Sequence, residues 1–221
     1  MAIWVKICGL TTRDAVEAAV AAGADAVGFV FAPSKRQVTA ALATQLAQGV
    51  PRRIPRVAVM LHPTQSQLDE VWSEFRPDVL QTDVGDLQTL RVPMGLAVMP
   101  VVRGAGVGLK PAAQGCANAA GAGCAGAADL QLKYQRVLFE GPVSGVGSTS
   151  DWSAAAQLAR STQLVLAGGL NATNIADAIA TVRPFGVDVS SGVEAAPGIK
   201  DPARIHEFVQ RARAAANGAN R

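Results

Sequence analysis

The chain has 221 residues, of which 49% are hydrophobic but only 5% aromatic, and a formal net charge of +3. That length suits one large domain, and no Pro- or Ser-rich linker or block of charge marks an internal boundary, so a single domain is expected. The weak positive charge is spread without a basic run or interleaved aromatics, which excludes a nucleic-acid footprint, and no apolar stretch approaches the length of a membrane span.

The first strand is predicted over 3–8. Side chains alternate along a strand, so Ile3, Val5 and Ile7 should meet helices while Trp4, Lys6 and Cys8 look inward. Cys8 stands just before Gly9 and a helix opening near Thr11 or Thr12, where α/β folds place their chemistry. Lys6 and the helix N-terminus are both expected to favour thiolate; the alternative is a buried, inert thiol. With a strand beginning at once instead of a charged leader, a cytoplasmic location is expected. Cys8, Cys116 and Cys124 offer no disulfide framework or zinc spacing.

The periodicity then predicts a helix over 13–22, with Ala15, Val16, Ala19 and Val20 on one stripe and Gly23 closing it. The apolar run 26–31 reads as a strand buried on both faces, and its exit loop carries Lys35 and Arg36. Thr39 should cap a helix to about 48, followed by strand 56–60, helix 64–74, strand 78–82 and a short helical segment near 86–90. A fifth strand over 95–101 ends near Arg103. The glycine- and alanine-rich interval 104–128 reads as a candidate mobile loop with at most a short helix. Regular structure returns with strand 136–140, helix 151–160, strand 164–167, a helix capped by Asn171 and running to 182, strand 186–190 and a last helix over 202–215, with a tail fraying from about 217.

Eight strands alternating with helices in this length predict a single (β/α)8 TIM barrel of the phosphate-binding type, with a doubly wound sheet as the runner-up. On such a barrel the exits of the last two strands commonly cradle a phosphate. Here those exits carry Gly168 and Gly169, then Ser190, Ser191 and Gly192. Glycines let backbone approach an anion and serines add donors; ordinary tight turns are the other reading. Strand parity points Asp188 inward beside Lys6 once the barrel closes, since an interior charge needs a partner. Glu140 should point inward at the rim, where a carboxyl over an apolar interior can serve as a general acid, or else stand as a solvated rim carboxylate. His62 and His206 are read as structural. No clustered ligand set suggests a metal, and neither a cofactor nor an obligate protein partner is called for.

Together these motifs resemble the phosphoribosylanthranilate isomerase family. The resemblance is carried by Lys6-Ile7-Cys8-Gly9-Leu10-Thr11, by Gly28-Phe29-Val30-Phe31 with Ser34 and Arg36, by Leu166-Ala167-Gly168-Gly169-Leu170, and by 186–194 with Pro197-Gly198 and Lys200-Asp201. It implies a cofactor-free Amadori rearrangement of a phosphorylated substrate in tryptophan biosynthesis. Cys8 would then be the general base, Arg36 the holder of the anthranilate carboxylate, and Gly168, Gly169, Ser191 and Gly192 the phosphate site. Two positions depart from the family pattern. Glu140 stands where aspartate is usual, and Gln81-Thr82-Asp83-Val84 replaces Gln-Leu-His-Gly. Asp83 and Asp188 are therefore reserve acids. Another phosphosugar isomerase or epimerase on the same barrel, or a non-catalytic phosphometabolite-binding barrel, remains the competing expectation.

Overall fold

The computed structural model describes residues 2–104, 133–141 and 150–218. Cys116, Cys124 and most of the predicted 104–128 loop lie outside the described residues. Eight parallel strands pair in sequence order and close into a barrel: β1 (Trp4–Cys8), β2 (Ala26–Val30), β3 (Arg56–Val59), β4 (Val79–Asp83), β5 (Ala97–Arg103), β6 (Val137–Glu140), β7 (Leu164–Leu166) and β8 (Gly186–Val189). The seam is the β8–β1 pair, in register Trp4 to Gly186 and Lys6 to Asp188.

The alternation read from the sequence sorts the two sides of the wall. Val5, Ile7, Phe29, Val137, Phe139 and Val187 belong to the outer core beneath the helices. Val57, Met99, Val101, Leu138 and Val165 form a separate cluster inside the barrel, closed at its N-terminal end by Trp4 and Phe185. Arg136 also points inward there, its guanidinium lying over both rings at 5.4 and 4.8 Å.

The described helices are α1 (Arg13–Ala21), α2 (Ala40–Ala47), α3 (Gln65–Glu74), α4 (Trp152–Ala159), α5 (Ile175–Val182) and α6 (Pro202–Gly218). Thr12, Thr39, Thr64 and Asp151 each accept a backbone N–H at a helix start, and Thr64 and Gln67 form a capping box. Each cap is worth roughly 1 kcal/mol. A 3-10 turn, Asp86–Gln88, stands where the short fourth helical segment was expected.

Four expectations need correction. Strand β5 starts and ends two residues later than predicted, which takes Arg103 into the strand. Asn171 does not cap α5; its Oδ1 accepts from Thr173 and Asn174 in a turn ahead of the helix, which begins at Ile175. The last helix runs to Gly218 instead of ending near 215, because Ala212 and Ala216 extend its buried stripe. A hairpin of β9 (Glu194–Ala196) and β10 (Ile199–Lys200), turning at Gly198, was not anticipated. No described helix is long and apolar enough to cross a membrane.

Candidate active site

A cavity of about 460 Å³ opens at the C-terminal ends of the strands. Of the residues singled out in the sequence, Cys8, Arg36, Glu140, Gly168, Gly169, Asp188, Ser190 and Ser191 all line it, and Gly192 does not. His62 and His206 are also absent from its wall.

Cys8 is 6% exposed, and beneath it Lys6 is fully buried with its Nζ 2.8 Å from Asp188 Oδ1. Room for both side chains comes from Gly28, the register partner of Cys8 on β2. A Cβ there would lie 2.9 Å from Cys8 Sγ and 3.0 Å from Lys6 Cε. Burial pulls the Lys6 pKa down, but Asp188 and Cys8 more than offset it, so the ammonium is held charged. The thiol departs from expectation. Burial pushes the Cys8 pKa up and Asp188 adds to the rise, outweighing the lowering by Lys6. The resting side chain is therefore a thiol with a cation beside it, because desolvation of the sulfur exceeds the local attraction the sequence displays.

At the opposite rim three strands bring Asp83, Arg103 and Glu140 together. Arg103 donates to Asp83 through Nε at 3.1 Å and Nη2 at 2.7 Å, and reaches Glu140 Oε2 from Nη1 at 3.4 Å. Burial lowers the Arg103 pKa, and the hydrogen bond and charge of Asp83 reverse that, leaving it raised. His62, on the loop after β3, sets Nδ1 2.8 Å from Asp86 and Nε2 3.7 Å from Asp83. The Asp86 hydrogen bond raises its pKa.

The third wall is built around Arg36. Its Nε and Nη2 donate to Glu194 Oε1 and Oε2 at 2.6 and 2.9 Å. That bond pair occupies one edge of the guanidinium, so Nη1 and the outer Nη2 hydrogen are the donors remaining for a ligand. Glu194 also accepts from Lys200 Nζ at 2.7 Å and from the Gly198 N–H at 3.1 Å. Lys200 in turn donates to the Ser190 carbonyl and Oγ at 2.9 and 3.2 Å. Although burial raises it, the Glu194 pKa is held at about 2 by Arg36, Lys200 and Gly198. The β9–β10 hairpin thus ties the arginine loop to the exit of β8.

Beside Ser190 the backbone at Gly168 and Gly169 takes φ of 91° and 64°, the left-handed region that glycine enters without strain. Gly192 sits behind this wall. A Cβ on it would come 1.9 Å from the Leu170 carbonyl oxygen, so its bare backbone lets the exits of β7 and β8 pack together. The sequence reading missed Arg103, Lys200 and Glu194 as parts of the site, and it treated Gln81 only as part of a pattern. Strand parity was the available signal for Gln81, which lines the cavity from β4. Among the described residues no group of three or more His, Cys, Asp or Glu is arranged to hold a metal ion.

The model of the N-(5'-phosphoribosyl)anthranilate isomerase family matches residues 5–91 and 117–211. Proteins named N-(5'-phosphoribosyl)anthranilate isomerase from Bradyrhizobium diazoefficiens and Streptococcus pneumoniae are 37% and 38% identical, covering 97% and 98% of this chain and 95% and 98% of theirs. The crystal structure of phosphoribosyl anthranilate isomerase from Thermotoga maritima superposes with a TM-score of 0.75 at 31% identity, over 96% of this chain and 99% of that one. A phosphoribosyl anthranilate isomerase solved with reduced 1-(o-carboxyphenylamino)-1-deoxyribulose 5-phosphate gives 0.72 at 31% identity, with the same coverage. The closed barrel, the inward thiol above its buried ammonium and this end-to-end similarity agree, and the chain belongs to the N-(5'-phosphoribosyl)anthranilate isomerase family.

Proposed function

We infer that the chain catalyses the Amadori rearrangement of N-(5-phosphoribosyl)anthranilate to 1-(2-carboxyphenylamino)-1-deoxyribulose 5-phosphate, a step of tryptophan biosynthesis. The observation that carries the reading is one cavity combining a sulfur, a rim carboxyl, an open guanidinium edge and a glycine-lined anion cradle. The backbone and hydroxyls at Gly168, Gly169, Ser190 and Ser191 hold the phosphate, with Gly192 allowing the two exits to approach. Arg36 receives the aryl carboxylate on the edge that Glu194 leaves open.

The proposed chemistry opens with two proton transfers. Glu140 gives a proton to the furanose ring oxygen, the C1′–O bond breaks, and the nitrogen lone pair completes a protonated Schiff base. Cys8, as thiolate, then removes the C2′ proton. The electron pair of that C–H bond flows to the iminium nitrogen, giving an enolamine that relaxes to the ketone. Lys6 places a positive charge next to the sulfur when it is ionised.

Glu140 lines the cavity from the end of β6. Asp83 takes short contacts from Arg103, and Asp188 takes the Lys6 ammonium, so a proton on either would cost a charge-assisted bond. A buried free thiol at Cys8 also fits a reducing, cytoplasmic compartment. The test is a fluorescence assay for the aminodeoxyribulose phosphate with purified protein. Turnover of phosphoribosylanthranilate is expected, and its absence with intact protein would overturn the reading.

A further inference from the structure

Gln81 stands in the middle of β4, 5% exposed, with its side chain in the wall of the cavity. Its strand neighbours in register are Val59 and Met99, and both belong to the apolar interior cluster. The backbone carbonyl of Gln81 is spoken for by the Met60 N–H at 2.9 Å. The side-chain Oε1 is different. It is buried and accepts no hydrogen bond from any described residue.

A buried amide oxygen without a donor loses its hydration and gains nothing in return, whereas leucine or methionine would fill the same space at no such cost. Native interiors rarely retain such a group, and each one calls for an explanation, a functional role or a bridging water among them. On this barrel Gln81 lines a cavity whose other polar groups already have proposed tasks. Cys8 and Asp188 come from β1 and β8, across the barrel from β4. The phosphate cradle lies at the exits of β7 and β8, and Arg36 follows β2. A ligand held at those places would span the cavity that Gln81 also lines. The central portion of the open-chain sugar carries hydroxyl groups, which are donors suited to an amide oxygen.

We propose that Gln81 is a substrate-binding residue of this site, its side-chain amide accepting a hydrogen bond from a hydroxyl of the ring-opened pentose chain. The proposal deepens the reading given above and depends on it for the identity of the sugar. A site that pairs a hydroxyl in this way discriminates against a ligand lacking it, because the amide is then left desolvated and unpaired. Gln81 therefore contributes to specificity for the polyhydroxy chain, separately from the charged groups that hold its two ends.

The experiment compares wild type with Gln81→Leu, using reduced 1-(o-carboxyphenylamino)-1-deoxyribulose 5-phosphate as the calorimetric probe and inorganic phosphate as the control. Leucine should weaken the sugar probe by about tenfold or more, leave phosphate affinity unchanged, and hold or raise the melting temperature, since an unpaired buried group has been removed. The 3′-deoxy and 2′-deoxy forms of the probe should include one that binds both proteins alike. Equal affinity of the two proteins for the full probe would overturn the proposal. So would parallel loss of phosphate binding and melting temperature, which marks a structural residue. Wild-type protein that binds the probe without turning over substrate would count against the catalytic reading but leave this one standing.

Discussion

Lys6 on β1 and Asp188 on β8 are register partners at the seam of the barrel, and their side chains meet inside it at 2.8 Å. The ammonium is completely buried, so the pair both closes the cylinder and sets a charge under the sulfur. Removing one partner strands the other in a low-dielectric interior.

Lys6→Met should therefore lower stability by about 3–5 kcal/mol, the usual cost of an uncompensated buried charge. Pairing it with Asp188→Leu should recover much of the loss. Urea denaturation midpoints of the two variants provide the check, and equal midpoints for Lys6→Met and wild type would show that the pair adds nothing to the fold.

The thiol makes a prediction about pH. Because the Cys8 pKa is raised above its ordinary value near 9.0, thiolate is the minor form at neutrality and grows with pH. The rate of Cys8 alkylation should climb steadily from pH 7 into the alkaline range, following the thiolate fraction. A plateau by pH 7 would contradict this ordering. Cys8→Ala should lose about 10²–10⁴-fold in turnover, as expected for deletion of a general base.

If Glu140 is the acid, as proposed, Glu140→Gln should collapse kcat while the reduced product analogue still binds with nearly wild-type affinity. Near-normal turnover would move the role to Asp83. Arg103→Met probes the same group, since it removes the cation shared by Asp83 and Glu140. It should change the pH dependence of kcat more than it changes phosphate binding, which pH-dependent kinetics with both ligands would detect.

Glu194 links binding to acid stability. Its folded pKa of about 2 lies below the ordinary 4.5, so its stabilising contribution is complete above pH 4.5 and disappears as pH falls toward 2. Glu194→Gln should flatten the stability profile in that window. It should also raise KM by about tenfold through a mispositioned Arg36, with a smaller change in kcat. Denaturation at stepped pH and steady-state kinetics separate the two effects.

Much of this architecture could be read from local rules. Alternation on β1 and β8 was enough to set Lys6 beside Asp188, and Thr39 announced its helix as a side-chain acceptor. The misses have physical causes. The strands of the β9–β10 hairpin, Glu194–Ala196 and Ile199–Lys200, are too short for a periodic signal, so the contact between Glu194 and Lys200 emerges only from the turn at Gly198. Arg103 was placed past its strand because β5 is set two residues later, by pairing with β4 and β6. For Cys8 the neighbouring cation was visible, whereas the depth of burial that outweighs it comes from residues distant in sequence.

The absent methyl at Gly28 works as a gauge on its neighbour. Alanine there would put a carbon 2.9 Å from the sulfur and 3.0 Å from Lys6 Cε, and one of these side chains would have to shift. A shift of about 1 Å at a reacting group can cost on the order of 10²-fold. Exchanging the side chain at position 8 for a bulkier group is thus a two-strand problem, whose outcome is governed as much by the empty notch on β2 as by the chemistry of the newcomer.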